Sequence, residues 1–352
     1  MNAIKTRSFA RAGLLGNPSD GYFGKTLSFT FTEFGVDLTM TESSRIRFQQ
    51  GEVDDATFTS LEDLTRSLRL YGYYGGIRLL KAVTKRFFEY CQTHGITLPK
   101  RNFTVEYRIN IPRLVGLSGS SAICSAMLKA LMKFYEVTIP LEYQPTICLE
   151  AEREELRINC GFQDRVIQIY NGLVFMDFDK SFVESHNYGK YERLNDETAK
   201  RLNLYIAYDA ARAEESGEAH KEVKRLFEAK NADVLAAMSE FADIAQRGRD
   251  ALAADKPEAL PALINANFDL RDRIFHVAEE NRRMVMTARA AGASAKFAGS
   301  GGAIVGTYED DAQFERLKAS LAEIGTVALK PTIATSADET ADFTTSGTWR
   351  NS

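Results

Sequence analysis

Four cysteines, four histidines, eight prolines and one tryptophan are all that 352 residues hold of those types, and each scarcity removes a class of function. Cys91, Cys124, Cys148 and Cys160 form no Cys-x-x-Cys and no Cys/His pair at metal-ligand spacing. A structural zinc site or disulfide framework is therefore not expected, and the thiols read as reduced ones in a cytoplasmic protein. His94, His186, His220 and His276 form no cluster in the sequence. No stretch approaches the roughly 18 apolar residues of a membrane span, and Met1 to Ala12 lacks the apolar core of an export signal. Charge of one sign is also lacking. A formal net charge of −4 gives no electrostatic reason for nucleic acid or an anionic membrane as main partner. Neither a G-x-x-x-x-G-K-[ST] loop nor a G-x-G-x-x-G after an early strand is present, which excludes a Walker loop and argues against a dinucleotide-binding fold. Self-similarity at periods of roughly 20 to 50 residues is absent.

What is present is a globular composition, 44% apolar and 26% charged with 24 glycines, in a chain long enough for two domains. The Thr/Phe content of Thr26–Phe34 predicts a strand after a Gly/Pro/Asn/Asp cluster at Gly16–Gly24. Three- and four-residue apolar steps predict a helix over Tyr71–His94, and alternation from Phe103 to Ile111 predicts a strand. A helix with Ile123, Met127, Leu131 and Phe134 on one face follows, then one over about Leu141–Leu156, a helical turn over Asp164–Tyr170 and a strand over Gly172–Phe178. Asp179–Lys200 is polar and poorly patterned, which places a domain boundary near residue 195. Beyond it come a strand at Leu202–Tyr208, helices to about Gly292, a β-like segment across Phe297–Thr307, a helix from Asp310 and a strand ending near Ile333. The Ser/Thr/Asp-rich tail from Ala334 is expected to be poorly ordered. This order is α+β rather than a doubly wound alternation.

Four segments carry candidate chemistry. Ile111–Ile123 sets Gly116, Leu117, Ser118, Gly119, Ser120, Ser121 and Ala122 between a strand and a helix. Free amide groups at a helix start suit phosphate, and a hydroxyl there suits Mg²⁺. Glu150–Asp164 ends a helix in carboxylates and adds Asp164 after a turn. Phosphoryl transfer needs two such groups, one for the metal and one for the attacking hydroxyl. Lys296–Gly306 is dense in glycine beside a strand, and Arg11–Lys25 sets a cation before a turn and an Asp. Taken singly, each of these also fits an ordinary turn or a solvated face.

Together and in this order the segments resemble the GHMP kinases, whose three signatures are an N-terminal substrate motif, a central Gly/Ser phosphate loop and a C-terminal Gly-rich motif. Within that class the chain is most similar to the glucuronokinases, best known from plants. The shared wording is R-A-G-L-L-G-N-P-S-D-G-Y-F-G-K-T from Arg11, G-Y-Y-G-G-I-R-L-L from Gly72, I-P-R-L-V-G-L-S-G-S-S-A-I from Ile111, G-F-Q-D-R-V from Gly161 and K-F-A-G-S-G-G-A from Lys296. The resemblance implies an N-terminal α+β domain (1–195), a ferredoxin-like C-terminal domain (196–333) and a polar tail (334–352). It implies ATP wrapped by Gly116–Ala122, Mg²⁺ held by Ser121 and Glu152, and Asp164 as the base with Arg11 beside it. Asp20, Asn17, Tyr74 and Gly299, Ser300, Gly301 and Gly302 would meet a small-molecule substrate. The implied reaction is phosphorylation of D-glucuronate at its anomeric hydroxyl by a monomer or homodimer; galacturonate, a heptose, fucose or mevalonate are the alternative acceptors. Asn17-Pro18 stands where many sugar kinases of the class have Glu-His, which argues against galactose and favours a uronate, because an acidic side chain would repel its C6 carboxylate. Arg78, Lys25, Arg113 and Lys296 are the candidate cations for that carboxylate.

Overall fold

The computed structural model describes residues 3–49, 76–209, 217–335 and 337–338. Tyr73 and Tyr74 and nearly all of the polar tail lie outside the described residues. The strands are β1 (Ile4–Leu15), β2 (Lys25–Ser43), β3 (Arg47–Phe48), β4 (Asn102–Ile109), β5 (Leu173–Asp177), β6 (Lys190–Arg193), β7 (Leu204–Asp209), β8 (Lys296–Phe297), β9 (Ala303–Thr307) and β10 (Thr326–Leu329). The α-helices are α1 (Gly76–Thr93), α2 (Gly119–Tyr135), α3 (Gln144–Glu150), α4 (Gln163–Tyr170), α5 (Lys180–His186), α6 (Asp196–Lys200), α7 (Gly217–Glu228), α8 (Ala232–Ala253), α9 (Leu260–Ile274), α10 (Glu279–Ala290) and α11 (Asp311–Ala322).

β1 and β2 form a long antiparallel ribbon running in register from Ile4↔Met40 to Leu15↔Leu27, with two bulges. It is the spine of the first sheet, ordered β3-β4-β2-β5-β6 with β1 on β2. β4 shows the expected alternation: Phe103, Val105 and Tyr107 are buried while Asn102, Glu106 and Arg108 are exposed, because one face meets the core and the other water. In β1 every residue from Ser8 to Leu15 is buried, since α2 packs against the ribbon and α8 packs against it as well. Contact with α8 is close: a Cβ on Gly248 would lie 2.1 Å from Leu15 Cδ1.

The second sheet is antiparallel in the order β10-β7-β9-β8. With α7–α10 between β7 and β8 and α11 between β9 and β10, the connectivity is β-α-β-β-α-β, the ferredoxin-like arrangement. Beyond β10 the chain returns to the ribbon: Thr32 N–H donates to Thr332 O (3.0 Å) and Ala334 N–H to Thr30 O (2.9 Å). Ala334, expected to begin a loose tail, is thus buried. The architecture is mixed helix and sheet, α+β as expected. No helix among the described residues is long and apolar enough to cross a membrane.

Asp179–Lys200, poorly patterned as sequence, holds α5, β6 and α6. These are elements of four to seven residues, too short for a periodicity to build up. The Asp179 and Asn195 side chains cap the two helices by accepting from Phe182 N–H and Glu197 N–H. The expected Leu141–Leu156 helix is α3 followed by a single π-helical turn, Ala151–Glu155. Such turns rotate the residues they carry out of helical phase, and this one carries Glu152.

Candidate active site

Arg11 lies on β1, paired with Thr30 of β2, and its buried guanidinium touches three distant segments. Nε donates to Asp164 Oδ1 (2.7 Å), while Nη1 donates to Gly116 O (2.5 Å) and Ala298 O (3.1 Å). The two glycine-rich loops meet around it, backbone against backbone. A Cβ on Gly299 would lie 2.1 Å from Gly116 O and 2.9 Å from Arg11 Nη1, and one on Gly116, whose φ is +73°, would lie 2.7 Å from Gly301 O. Only glycine allows this approach.

Asp164 sits in the first turn of α4. Its second oxygen accepts from Ser118 Oγ (2.5 Å), the residue that precedes α2 in left-handed conformation. Burial raises its pKa, but the charges of Arg11 and Arg165 and the hydrogen bonds from Arg11 and Ser118 outweigh it and hold the carboxyl at about 2. Asp20, in the short 3₁₀ turn Ser19–Tyr22, is pushed the other way, to about 6, by burial and then by the Asp164 charge. It accepts from Gln163 N–H (3.1 Å), and Gly161 lets it approach, since a Cβ there would lie 2.0 Å from Asp20 Oδ2. Two neighbouring carboxyls with pKa values driven apart are the pattern of a site with divided acid–base roles.

Behind them lies a buried ionic cluster that sequence reasoning saw only in part. Ser121 Oγ donates to Glu152 Oε2 (3.2 Å). The same oxygen accepts from Arg165 Nε (2.5 Å) and is ion-paired with Arg165 Nη2. Arg165 Nη1 donates to Gly161 O (2.9 Å) and lies 4.0 Å from Asp164 Oδ2. Glu152 is fully buried and its other oxygen, Oε1, has no hydrogen-bond partner. Arg165 lies inside the quoted G-F-Q-D-R-V motif and Glu152 was a candidate, but their pairing across thirteen residues was not legible.

On the C-terminal side, Lys296 is 1% exposed and bonds three neutral oxygens: Gly13 O (2.5 Å), Asn17 Oδ1 (2.5 Å) and Phe297 O (2.7 Å). Burial, with Arg271 and Arg11 nearby, drives its pKa well below the usual lysine value. Asn17 is buried too, its side-chain oxygen turned to this ammonium. Arg271 of α9, which no motif marked, donates to Gly299 O and Ser300 O (both 2.8 Å) and lies over the rings of Phe275 and Phe297. Gly302 N–H donates to Asn281 Oδ1 (2.9 Å). Ser300 is exposed, and Gly119 and Ser120 form the half-exposed start of α2. Of the remaining cations, Lys25 is paired with Asp177 and Gln246, and Arg78 and Arg113 are exposed.

Residues 78–172 match the family model of the GHMP kinase N-terminal domain. Glucuronokinase 1 of Arabidopsis thaliana is 42% identical over 309 residues, 86% of this chain and 84% of that protein. Probable glucuronokinase 2 of the same organism is 44% identical over 306 residues, 85% of this chain and 82% of that one. In fold, the chain is similar to Lactococcus lactis galactokinase (TM-score 0.74, 15% identity, 94% of each chain). It is also similar to Methanococcus jannaschii mevalonate kinase (TM-score 0.70, 17% identity, 95% of this chain and 99% of that one). With this identity sustained over more than four-fifths of both relatives, the chain belongs to the GHMP kinases and, among them, to the glucuronokinases.

Proposed function

We propose that the chain is an ATP-dependent sugar 1-kinase that converts D-glucuronate to glucuronate 1-phosphate, with its site between an N-terminal domain of residues 1–195 and a C-terminal domain of residues 196–333. The observation that carries the reading is the convergence on Arg11 of the segments holding Asp164, Gly116 and Ala298. The amide groups of Gly116–Ala122, at the start of the seventeen-residue helix α2, would hold the ATP phosphates. The sugar O1 attacks the γ-phosphorus; the new O1–P bond forms as the bond to ADP breaks, and the O1 proton passes to Asp164. A carboxylate held at about 2 is a weak base before the reaction. Its work is therefore to orient the hydroxyl and take the proton late, once the loose transition state has made it acidic. Arg11 stabilises both Asp164 and the charge on the transferring group.

The donor set fits Mg²⁺: a hydroxyl and one carboxylate, with Glu152 Oε1 buried and open, leaving the remaining positions to phosphates and water as this ion prefers. Ser121 and Glu152 would hold it, and it would neutralise charge on the β- and γ-phosphates. Of the four nominated cations, Lys296 is the buried one and bonds the side-chain oxygen of Asn17; an anionic acceptor beside it would offset the repulsion from Arg271 and Arg11 that disfavours its charge. Asp20 and Gly299–Gly302 would face the sugar. A coupled ADP-release assay with Mg·ATP over glucuronate, galacturonate, galactose, fucose, a heptose and mevalonate tests the reading. Preference for glucuronate is expected; turnover of another acceptor in its place overturns the substrate assignment.

A further inference from the structure

Glu152 is held asymmetrically. Its Oε2 carries two contacts from Arg165 and one from Ser121, while its Oε1 carries none. Arg165 also holds Gly161 O, in the turn that leads into Asp164. A planar guanidinium can bind two such acceptors at a set separation, which an ammonium cannot do. We propose that Arg165 is the positioning residue for the metal: by fixing Glu152 Oε2 it leaves Oε1 for the nucleotide's divalent cation, and by holding Gly161 it ties that carboxylate to the turn carrying Asp164. Glu152 is carried inward, buried, on the π-helical turn, a feature frequent at functional sites. This rests on Ser121 and Glu152 being the metal ligands.

The test measures ATP binding calorimetrically, in EDTA and across a Mg²⁺ titration, for wild type and Arg165→Lys. Partners that orient a metal ligand change metal affinity by roughly 10–100-fold when replaced. Arg165→Lys is therefore expected to raise the half-saturating Mg²⁺ by at least about tenfold, while binding in EDTA stays unchanged. A purely structural role would lower Tm and leave the Mg²⁺ midpoint in place, and that result overturns the proposal. A wild type whose ATP affinity ignores Mg²⁺ overturns it together with the metal reading, whereas a responsive wild type matched by the variant overturns the proposal alone. Should Arg165→Lys fail to fold, the comparison moves to a Glu152→Gln background, where Arg165→Met removes the remaining buried charge of the pair. If Arg165 acts through Glu152, the two midpoints agree within about twofold. A further tenfold rise refutes the proposal.

Discussion

Replacing Asp164 by Asn keeps the shape of the side chain and removes its charge. The amide oxygen can still accept from Arg11 Nε, and the Ser118 hydroxyl can rotate to accept from the new amide nitrogen. Two separate losses follow. In catalysis, the hydroxyl proton loses its proposed acceptor, and a positioned acid–base group contributes about 10²–10⁴-fold, so kcat should fall by at least that range while calorimetric ATP binding is retained. In stability, the carboxyl is one-fifth exposed and its pKa is lowered from 3.8 to about 2. A lowered carboxylate stabilises the fold above its unfolded-state pKa and loses that contribution as pH falls through the folded-state value, which here means between about 4 and 2. The drop corresponds to about 2 kcal/mol at neutral pH, offset in part by the hydrogen bonds that Asn retains. Urea unfolding at pH 7 should show a deficit of that order, shrinking toward pH 3. A variant with near-wild-type kcat would refute the assignment of Asp164. An undiminished stability deficit at pH 3 would refute its origin in the Arg11 and Arg165 charges.

Other substitutions probe the packing of the loops and the buried charges. Gly299→Ala drives a methyl into Gly116 O and toward Arg11. It should cost about 1–3 kcal/mol and lower kcat/KM by more than tenfold through displacement of Arg11; Gly21→Ala, with open space around it, is the control and should leave Tm unchanged. Asp20 is raised to about 6, so its burial destabilises the fold as pH rises from about 4 to 6, by about 3 kcal/mol in all. Asp20→Asn should therefore gain stability over wild type at pH 8 and not at pH 4, and equal differences at both pH values would reject the shift. In wild type, the sugar KM should fall as pH rises through about 6, when the carboxylate proposed to accept from the sugar hydroxyls forms; a flat KM profile would reject that role. Lys296→Met leaves Gly13 O, Phe297 O and Asn17 Oδ1 without their donor. Each orphaned group costs about 1–3 kcal/mol, offset in part because a buried charge beside Arg271 and Arg11 is removed, so urea unfolding should show a net loss; no loss would mean that burying the charge costs as much as its hydrogen bonds supply.

Much of the fold was legible in local patterns. The Phe103–Ile111 alternation became β4 and the Ile123–Phe134 stripe became part of α2, because one side of each faces the core and the other does not. The order of the Gly/Ser segments was enough to indicate the kinase class, and the class resemblance supplied Asp164, Glu152 and Ser121 as candidates. Where burial is two-sided or elements are short, the signal fails, which is why β6 and the small helices of residues 180–200 were not read as elements.

By itself, then, the sequence determined which segments could bind phosphate, which carboxylates were available and which residues must lack a side chain. The tertiary structure alone decided how they combine. Arg11 meets Asp164 across 153 positions and Ala298 across 287, Gly116 packs on Gly299, and Lys296 finds Gly13 and Asn17. Helical and strand periodicity report only a residue's near neighbours, and a buried charge has no local signature of the partner it needs. The division of pKa values between Asp20 and Asp164, and the clamp of Arg165 on Glu152, exist only once β1, the central loop, the π-helical turn and α4 have packed together.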